Sequence, residues 1–288
     1  MKNYFKDPYI LEMEKGQEHK LFLPLINRGT FCRVYSMNST IYKIIENTPK
    51  DQNINILVLG SGFDTLYFNL MNQKHTNITF LEFDFQEIIN RKNKIIEHSK
   101  ILNEIKRDNY HLLSCDITKN NKFKETIEST IPKNKINDLT IVICECVLVY
   151  IEREKTIDML LTLKNLFSNL IILEYDLIGA NDAFGREMID NLKMRNIQLK
   201  GFEEVPDIKS QIERLKECKM DQVEVVDLLY VYNKMVPRDE RRRIDMLEMM
   251  DEFEEFNLLQ QHACFGYGLS FNDNKFDKVK DLIKLQWK

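Results

Sequence analysis

Five short stretches of the chain, at 54–59, 78–83, 111–115, 139–144 and 170–175, are dense in β-branched and large apolar residues. The first, fourth and fifth are nearly unbroken apolar runs, the pattern of central strands covered on both faces. Longer polar stretches with helical spacing separate them. Across 85–100, Ile88, Ile89, Ile95 and Ile96 recur on one face; across 156–167, Ile157, Leu160, Leu161, Lys164 and Phe167 do the same. Strand and helix in alternation predict a doubly wound, Rossmann-like α/β sheet with mainly parallel strands.

Two regions fall outside this core. Residues 1–50 read as helices, with Asn27-Arg28-Gly29-Thr30 as a break and Thr30 as a cap. Residues 176–262 read as a mostly helical insertion, with helices over 184–195, 208–218 and 238–260. The apolar segment 263–271 reads as a late strand returning to the sheet, and the polar segment 273–288 as one that packs last or frays. The parts 1–50, 51–175, 176–262 and 263–288 are expected to form one integrated domain with a helical cap. Within the insertion, Met246, Met249, Met250, Phe253 and Phe256 form an apolar stripe read as core. The charged run 238–243 reads as a solvated helix face, and Trp287 has no evident role.

Composition narrows the class. The 288 residues are 43% hydrophobic and 30% charged, with only 9 Gly and 6 Pro, which describes a globular chain and excludes a collagen-like one. Lys and Arg number 41 against 45 Asp and Glu, which argues against a nucleic-acid partner held by bulk electrostatics. No stretch approaches the ~18 apolar residues of a membrane helix. The N-terminus has no apolar signal core and meets Pro8, so a cytoplasmic protein is expected. Cys32, Cys115, Cys144, Cys146, Cys218 and Cys264 then read as free thiols. The Cys144/Cys146 spacing and the lack of paired His predict no metal site.

The run Leu57-Val58-Leu59-Gly60-Ser61-Gly62-Phe63-Asp64-Thr65 follows the first expected strand and opens a helix. A glycine turn there lets backbone approach a ligand and aims helix N–H groups at it. Asp84 ends the second strand, near the ~20-residue spacing at which an acidic residue accepts ribose hydroxyls. Glu82, two residues earlier on the same face, is a candidate to share that role. Asp116 ends the third strand, where a carboxylate can accept from an adenine amino group. Glu145 ends the fourth, beside the crevice where open α/β sheets bind ligands. Each residue alone also reads as a turn or a helix cap; four polar strand tips together point to a nucleotide-like ligand. Thr65 stands where a dinucleotide fingerprint has its third glycine, which favours S-adenosylmethionine over NAD.

These residues resemble the leucine carboxyl methyltransferases, which methylate the C-terminal leucine carboxylate of the type-2A protein phosphatase catalytic subunit. The likeness rests on Asp7-Pro8-Tyr9-Ile10, the block from Ile26 to Val34, the loop from Leu59 to Thr65, Glu82-Phe83-Asp84-Phe85 and Glu145-Cys146-Val147-Leu148-Val149-Tyr150. In the insertion it rests on Phe184-Gly185, Met188 to Leu192, Gln211-Ile212-Glu213-Arg214-Leu215 and Arg243 to Glu252. The resemblance implies that Arg33 pairs with the methionine carboxylate of the cofactor, as a planar guanidinium can. It implies backbone contact at Gly60, the ribose on Asp84, the adenine edge on Asp116 and Ile117, and the methionine ammonium on Glu145. Tyr150 and Tyr175 are candidates to face the substrate carboxylate, packing beneath the cap being the other reading. Two positions depart from the family pattern. A basic residue on a longer N-terminal segment has no counterpart unless Lys2 takes its place. An arginine often found after Asp116-Ile117 is Thr118 here, followed by Lys119, which puts substrate-carboxylate recognition on Lys119 or another cation.

The implied reaction transfers a methyl group to a carboxylate. A chain-terminal carboxyl has a pKa of about 3.3–3.7, so it is already ionised and needs no general base. The five His, which show no paired spacing, are consistent with this. The expected partner is the phosphatase tail, gripped in a narrow pocket formed by residues 176–262. Other readings stay open: a small-molecule acid or a modified tRNA base as acceptor, a tail binder without turnover, or a nicotinamide-dependent reductase. Relatives that act on the tRNA base carry a long additional β-propeller region, which this chain does not show.

Overall fold

The computed structural model describes residues 3–14, 22–75 and 77–285. Lys2 and Trp287 lie outside the described residues. The sheet has seven strands: β1 (Ile54–Leu59), β2 (Ile78–Asp84), β3 (Tyr110–Ser114), β4 (Leu139–Glu145), β5 (Asn169–Leu177), β6 (Gln222–Asp227) and β7 (Ala263–Phe271). Their order is β3-β2-β1-β4-β5-β7-β6. β3, β2, β1, β4 and β5 pair in parallel, and β7 runs antiparallel to both β5 and β6.

Every residue of β1 is buried, as are the first six of β4 and of β5. The two-residue period of a strand then sends alternate side chains to opposite layers. Ile54, Ile56 and Val58 of β1, Ile141 and Ile143 of β4 and Leu173 of β5 join one core cluster, with Phe31, Cys32, Ile41 and Ile44 of the helix Pro24–Asn47. Leu57, Leu59, Val142, Cys144, Leu170 and Ile172 join the other, with Phe123, Leu160 and Leu215. This parity decides the site. Glu82, Asp84, Glu145 and Tyr175 share the face of the long helix; Glu174 and Asp176 share the face of the helix Ile208–Glu217.

Several expectations change. The long helix runs unbroken through Asn27-Arg28-Gly29-Thr30. Pro24 at its first turn supplies the start, a position that costs no hydrogen bond. Thr30 does not cap it; its Oγ1 donates to Ile26 O at 3.0 Å. Gly29 is there for close approach, since a Cβ would lie 2.8 Å from Gln260 Nε2. Arg28 is only 2% exposed and donates to Asp245 at 2.6 Å and to Glu248 O at 3.2 Å, tying this helix to the insertion. The helical insertion also contains β6. The helix expected over 238–260 is two, Arg238–Asp245 and Phe253–Gln261. Because the chain turns between them, Met246 and Met249 face solvent at 81% and 87% exposure, Phe253 is exposed, and only Met250 and Phe256 join the core. The charged run is partly anchored: Arg243 pairs with Glu240 and donates to the Asn3 and Tyr4 carbonyls. The C-terminal segment packs rather than frays, with Phe276, Val279, Ile283 and Leu285 buried. No described helix is long and apolar enough to cross a membrane, and all six cysteines are free thiols.

On the second face, buried Arg214 donates to Glu174 at 2.8 Å, while Asp176, 1% exposed, has no partner for Oδ1 among the described residues. Two carboxyls thus share one guanidinium away from water. Burial, then Glu174, pushes the Asp176 carboxyl up to about 8, against the pull of Arg214. A carboxyl that binds its proton more tightly folded than unfolded makes the fold lose stability as pH rises, here from ~4 toward 8. The melting temperature is therefore expected to fall between pH 5 and pH 8, and Asp176→Asn is expected to flatten that slope. An unchanged slope in the variant contradicts this assignment.

Candidate active site

Because β1 to β5 are parallel, their carboxyl ends open on one edge of the sheet, where such folds bind ligands. The loop after β1 is hooked onto β2: Gly60 N–H and Ser61 N–H both donate to Phe83 O, at 2.8 and 3.1 Å. Gly60 and Gly62 have φ of +67° and +51°, a left-handed conformation that costs other residues about 1–2 kcal/mol. A Cβ at Gly60 would lie 2.8 Å from Val147 Cγ2, whereas at Gly62 it would meet nothing within 4 Å. The turn therefore needs glycine at 60 for sterics and presents bare backbone at 62.

Asp84 at the tip of β2 fixes this loop. Its Oδ2 accepts from Gly62 N–H at 2.8 Å and its Oδ1 from Phe85 N–H at 2.7 Å. A carboxylate has about four lone-pair sites, so both oxygens keep capacity for a ligand. Glu82 does not share this role: it is fully buried and ion-paired with Lys92 of the helix Gln86–His98. One strand step deeper on the same face puts it beneath the crevice instead of in it. Lys92 was legible in principle. It falls between Ile89 and Ile96 on the helix's buried stripe, and a buried ammonium demands a carboxylate.

Asp116 accepts from Thr118 N–H at 3.0 Å and Thr118 Oγ1 at 2.6 Å, both on Oδ1. Partial burial works against its ionised form, but the Thr118 bonds together with the charges of Lys119 and Lys155 lower its pKa. Thr118 thus holds an ionised Asp116 in place, and Lys119 points to solvent. The Ile117 side chain packs into the second core cluster at 8% exposure.

Across the crevice, Arg33 of the long helix donates from Nε to Glu145 at the tip of β4. Its guanidinium lies 4.9 Å from the centre of the Tyr175 ring. Burial disfavours its charge, but Glu145 more than offsets this, and Arg33 stays a cation. Cys146, next in the chain, has φ +54° and donates its N–H to Tyr175 O at 2.8 Å. That turn leads into Leu148–Tyr150, where Tyr150 is 53% exposed. A phenol carries its proton at neutral pH, and burial raises the pKa of both Tyr150 and Tyr175 further. Val149 packs with Ala180, Leu199 and Phe202, fastening this turn to the start of the insertion. Among the described residues no group of His, Cys, Asp and Glu is arranged to hold a metal ion.

The strand order, the glycine turn and the acidic strand tips define a Rossmann-like α/β fold with a ligand crevice at the carboxyl edge of its sheet. Solved structures of similar fold include a candidate methyltransferase from Thermobifida fusca, with TM-score 0.58 and 9% identity over 86% of this chain and 84% of that one. Another is the plantazolicin methyltransferase BamL, solved with a triazolic desmethylPZN analog and S-adenosylhomocysteine (TM-score 0.50, 11% identity, 93% of each chain). The chain belongs to the leucine carboxyl methyltransferase family, whose model matches residues 2–164. Relatives include the leucine carboxyl methyltransferase 1 homolog of Arabidopsis thaliana, 29% identical over 93% of this chain and 84% of the relative. Leucine carboxyl methyltransferase 1 of Bos taurus is 29% identical over 91% and 82%. That of Yarrowia lipolytica is 30% identical over 84% and 78%.

Gly60→Ala is expected to cost about 1–3 kcal/mol, from its φ and the Val147 contact, read as a lower melting temperature. A variant that melts with the parent protein contradicts this geometry.

Proposed function

We propose that the protein is an S-adenosylmethionine-dependent carboxyl O-methyltransferase whose acceptor is the C-terminal leucine of the type-2A protein phosphatase catalytic subunit. The observation that carries this reading is the Arg33–Glu145 pair beneath which Tyr175 lies. Opposite charges held side by side at the crevice match an amino-acid zwitterion, whose carboxylate suits Arg33 and whose ammonium suits Glu145. The open backbone at Gly62 and the spare acceptor sites of Asp84 fit a ribose, and Asp116 with the Ile117 backbone fits an adenine edge. The donor set thus fits S-adenosylmethionine, which when bound supplies an electrophilic methyl group on a sulfonium. Membership of the family supports the acceptor class.

The protein's own task is alignment and exclusion of water. Tyr150 and Tyr175, phenols that carry their proton at neutral pH, donate to the acceptor carboxylate and orient one oxygen toward the donor. No side chain takes a proton, because the acceptor arrives ionised. Alignment of this kind contributes on the order of 7–11 kcal/mol in ideal cases. Residues 176–262, joined to the site through Phe202 and Leu199, form the wall against which the leucine side chain packs.

Tritiated methyl transfer to purified phosphatase catalytic subunit tests the reading. Labelling of the native C-terminus and none of an amidated one is expected; equal labelling of both overturns the carboxylate acceptor. Arg33→Ala is expected to weaken S-adenosylmethionine binding at least tenfold, the loss of about one charge-assisted hydrogen bond at ~1.5–3 kcal/mol. An unchanged dissociation constant in calorimetry removes Arg33 from the site.

A further inference from the structure

This inference rests on the donor proposed above and concerns a motif that the mechanism leaves unused, Asp7-Pro8-Tyr9-Ile10. Thr65 closes the glycine loop and immediately precedes the helix Leu66–Asn72. Threonine at such a position ordinarily caps the helix with its hydroxyl. Here Asp64 accepts from Leu66 N–H at 2.7 Å, and the buried Thr65 hydroxyl donates to Asp7 Oδ2 instead. The other oxygen of Asp7 accepts from Tyr9 N–H at 3.0 Å and from Ile10 N–H at 3.3 Å. One side chain thus joins the glycine loop to the N-terminal segment.

That segment is fastened on both sides of Asp7. Before it, the Phe5 ring stacks on Phe31 of the long helix at 5.0 Å, and Arg243 of the insertion donates to Tyr4 O at 2.8 Å. After it, Tyr9 is buried with its ring 5.9 Å from that of Phe68, Met13 is buried, and Glu12 accepts from Ser99 Oγ at 2.6 Å. Asp7 is therefore held independently of the loop it bonds. Gly60, Ser61 and Gly62 are tied to β2 through Phe83 O and Asp84, and Thr65 is tied to the N-terminal segment. The loop is anchored at both ends, from two different parts of the chain. We propose that Asp7 is a positioning residue for donor binding: through the Thr65 hydroxyl it sets the far end of the glycine loop, so that the turn at Gly60–Gly62 has its ligand-accepting shape before S-adenosylmethionine arrives. A loop ordered in advance lowers the cost of binding. S-adenosylhomocysteine presents the same ribose to this loop, so it gains equally.

Calorimetry on the full chain, well below the melting temperature of each variant, tests this. Asp7→Ala removes the acceptor, and Thr65→Val removes the hydroxyl while keeping the shape of the side chain. Each is expected to weaken both S-adenosylmethionine and S-adenosylhomocysteine about tenfold, the scale of one hydrogen bond to a carboxylate. The double variant should bind no more weakly than Asp7→Ala alone, because both changes delete the same bond. Asp7→Asn keeps an acceptor for Tyr9 N–H and offers an amide N–H to Thr65 Oγ1, so it should bind within about threefold of the parent protein. A role in stability alone lowers the melting temperature and leaves both dissociation constants in place. Unchanged dissociation constants in Thr65→Val overturn the proposal, as do losses that add in the double variant. If Asp7→Ala does not fold, Thr65→Val and Asp7→Asn decide the matter by the same criteria. Failure of the parent protein to bind S-adenosylmethionine overturns the donor reading, whereas normal binding by the parent with indifferent variants overturns this proposal alone.

Discussion

The crevice depends on one contact between elements far apart in the chain. Arg33 on the long helix meets Glu145 at the end of β4, and the helix is thereby laid across the working edge of the sheet. The contact is possible because β4 is fully buried until its last residue, so its first solvent-reaching side chain is a carboxylate. Arg28, one and a half turns earlier, is buried against Asp245 and Glu248 O, so the helix that carries Arg33 is held at both ends of its polar stretch. The pair is thus set in place before any ligand arrives, and a ligand with both charges meets it at reduced ordering cost.

The two faces of the sheet use buried charge differently. On the face of the long helix, carboxylates emerge at the strand tips, Asp84 held by backbone N–H groups and Glu145 paired with Arg33. On the other face, Glu174, Asp176 and Arg214 are sealed, and their role is to join β5 to the insertion. The same strand supplies both sets, because Tyr175 lies between Glu174 and Asp176 and points the other way. A one-residue slip in β5 would exchange them.

Much of this was legible in the chain. The central strands announce themselves because burial on both faces leaves no polar position, and Gly60, Asp84, Asp116 and Glu145 all fall at ends of predicted strands. β6 was not legible: Gln222 and Glu224 interrupt it, as suits an edge strand paired on one side only. Gly29 looked like a break because the sequence does not show Gln260 packed against it. Met246 and Met249 have helical spacing, yet the turn at 246–252 breaks the helix that the spacing presupposes.

The place of β7 carries a consequence for biosynthesis. Among the described residues it is the last strand, yet it sits between β5 and β6 and is the sole neighbour through which β6 joins the sheet. A nascent chain emerging from the ribosome can assemble the parallel half early. It must leave the open border of β5 unpaired until residues 263–271 have cleared the exit tunnel. During translation that border is a template for promiscuous strand addition, and timely delivery of one nine-residue segment closes it.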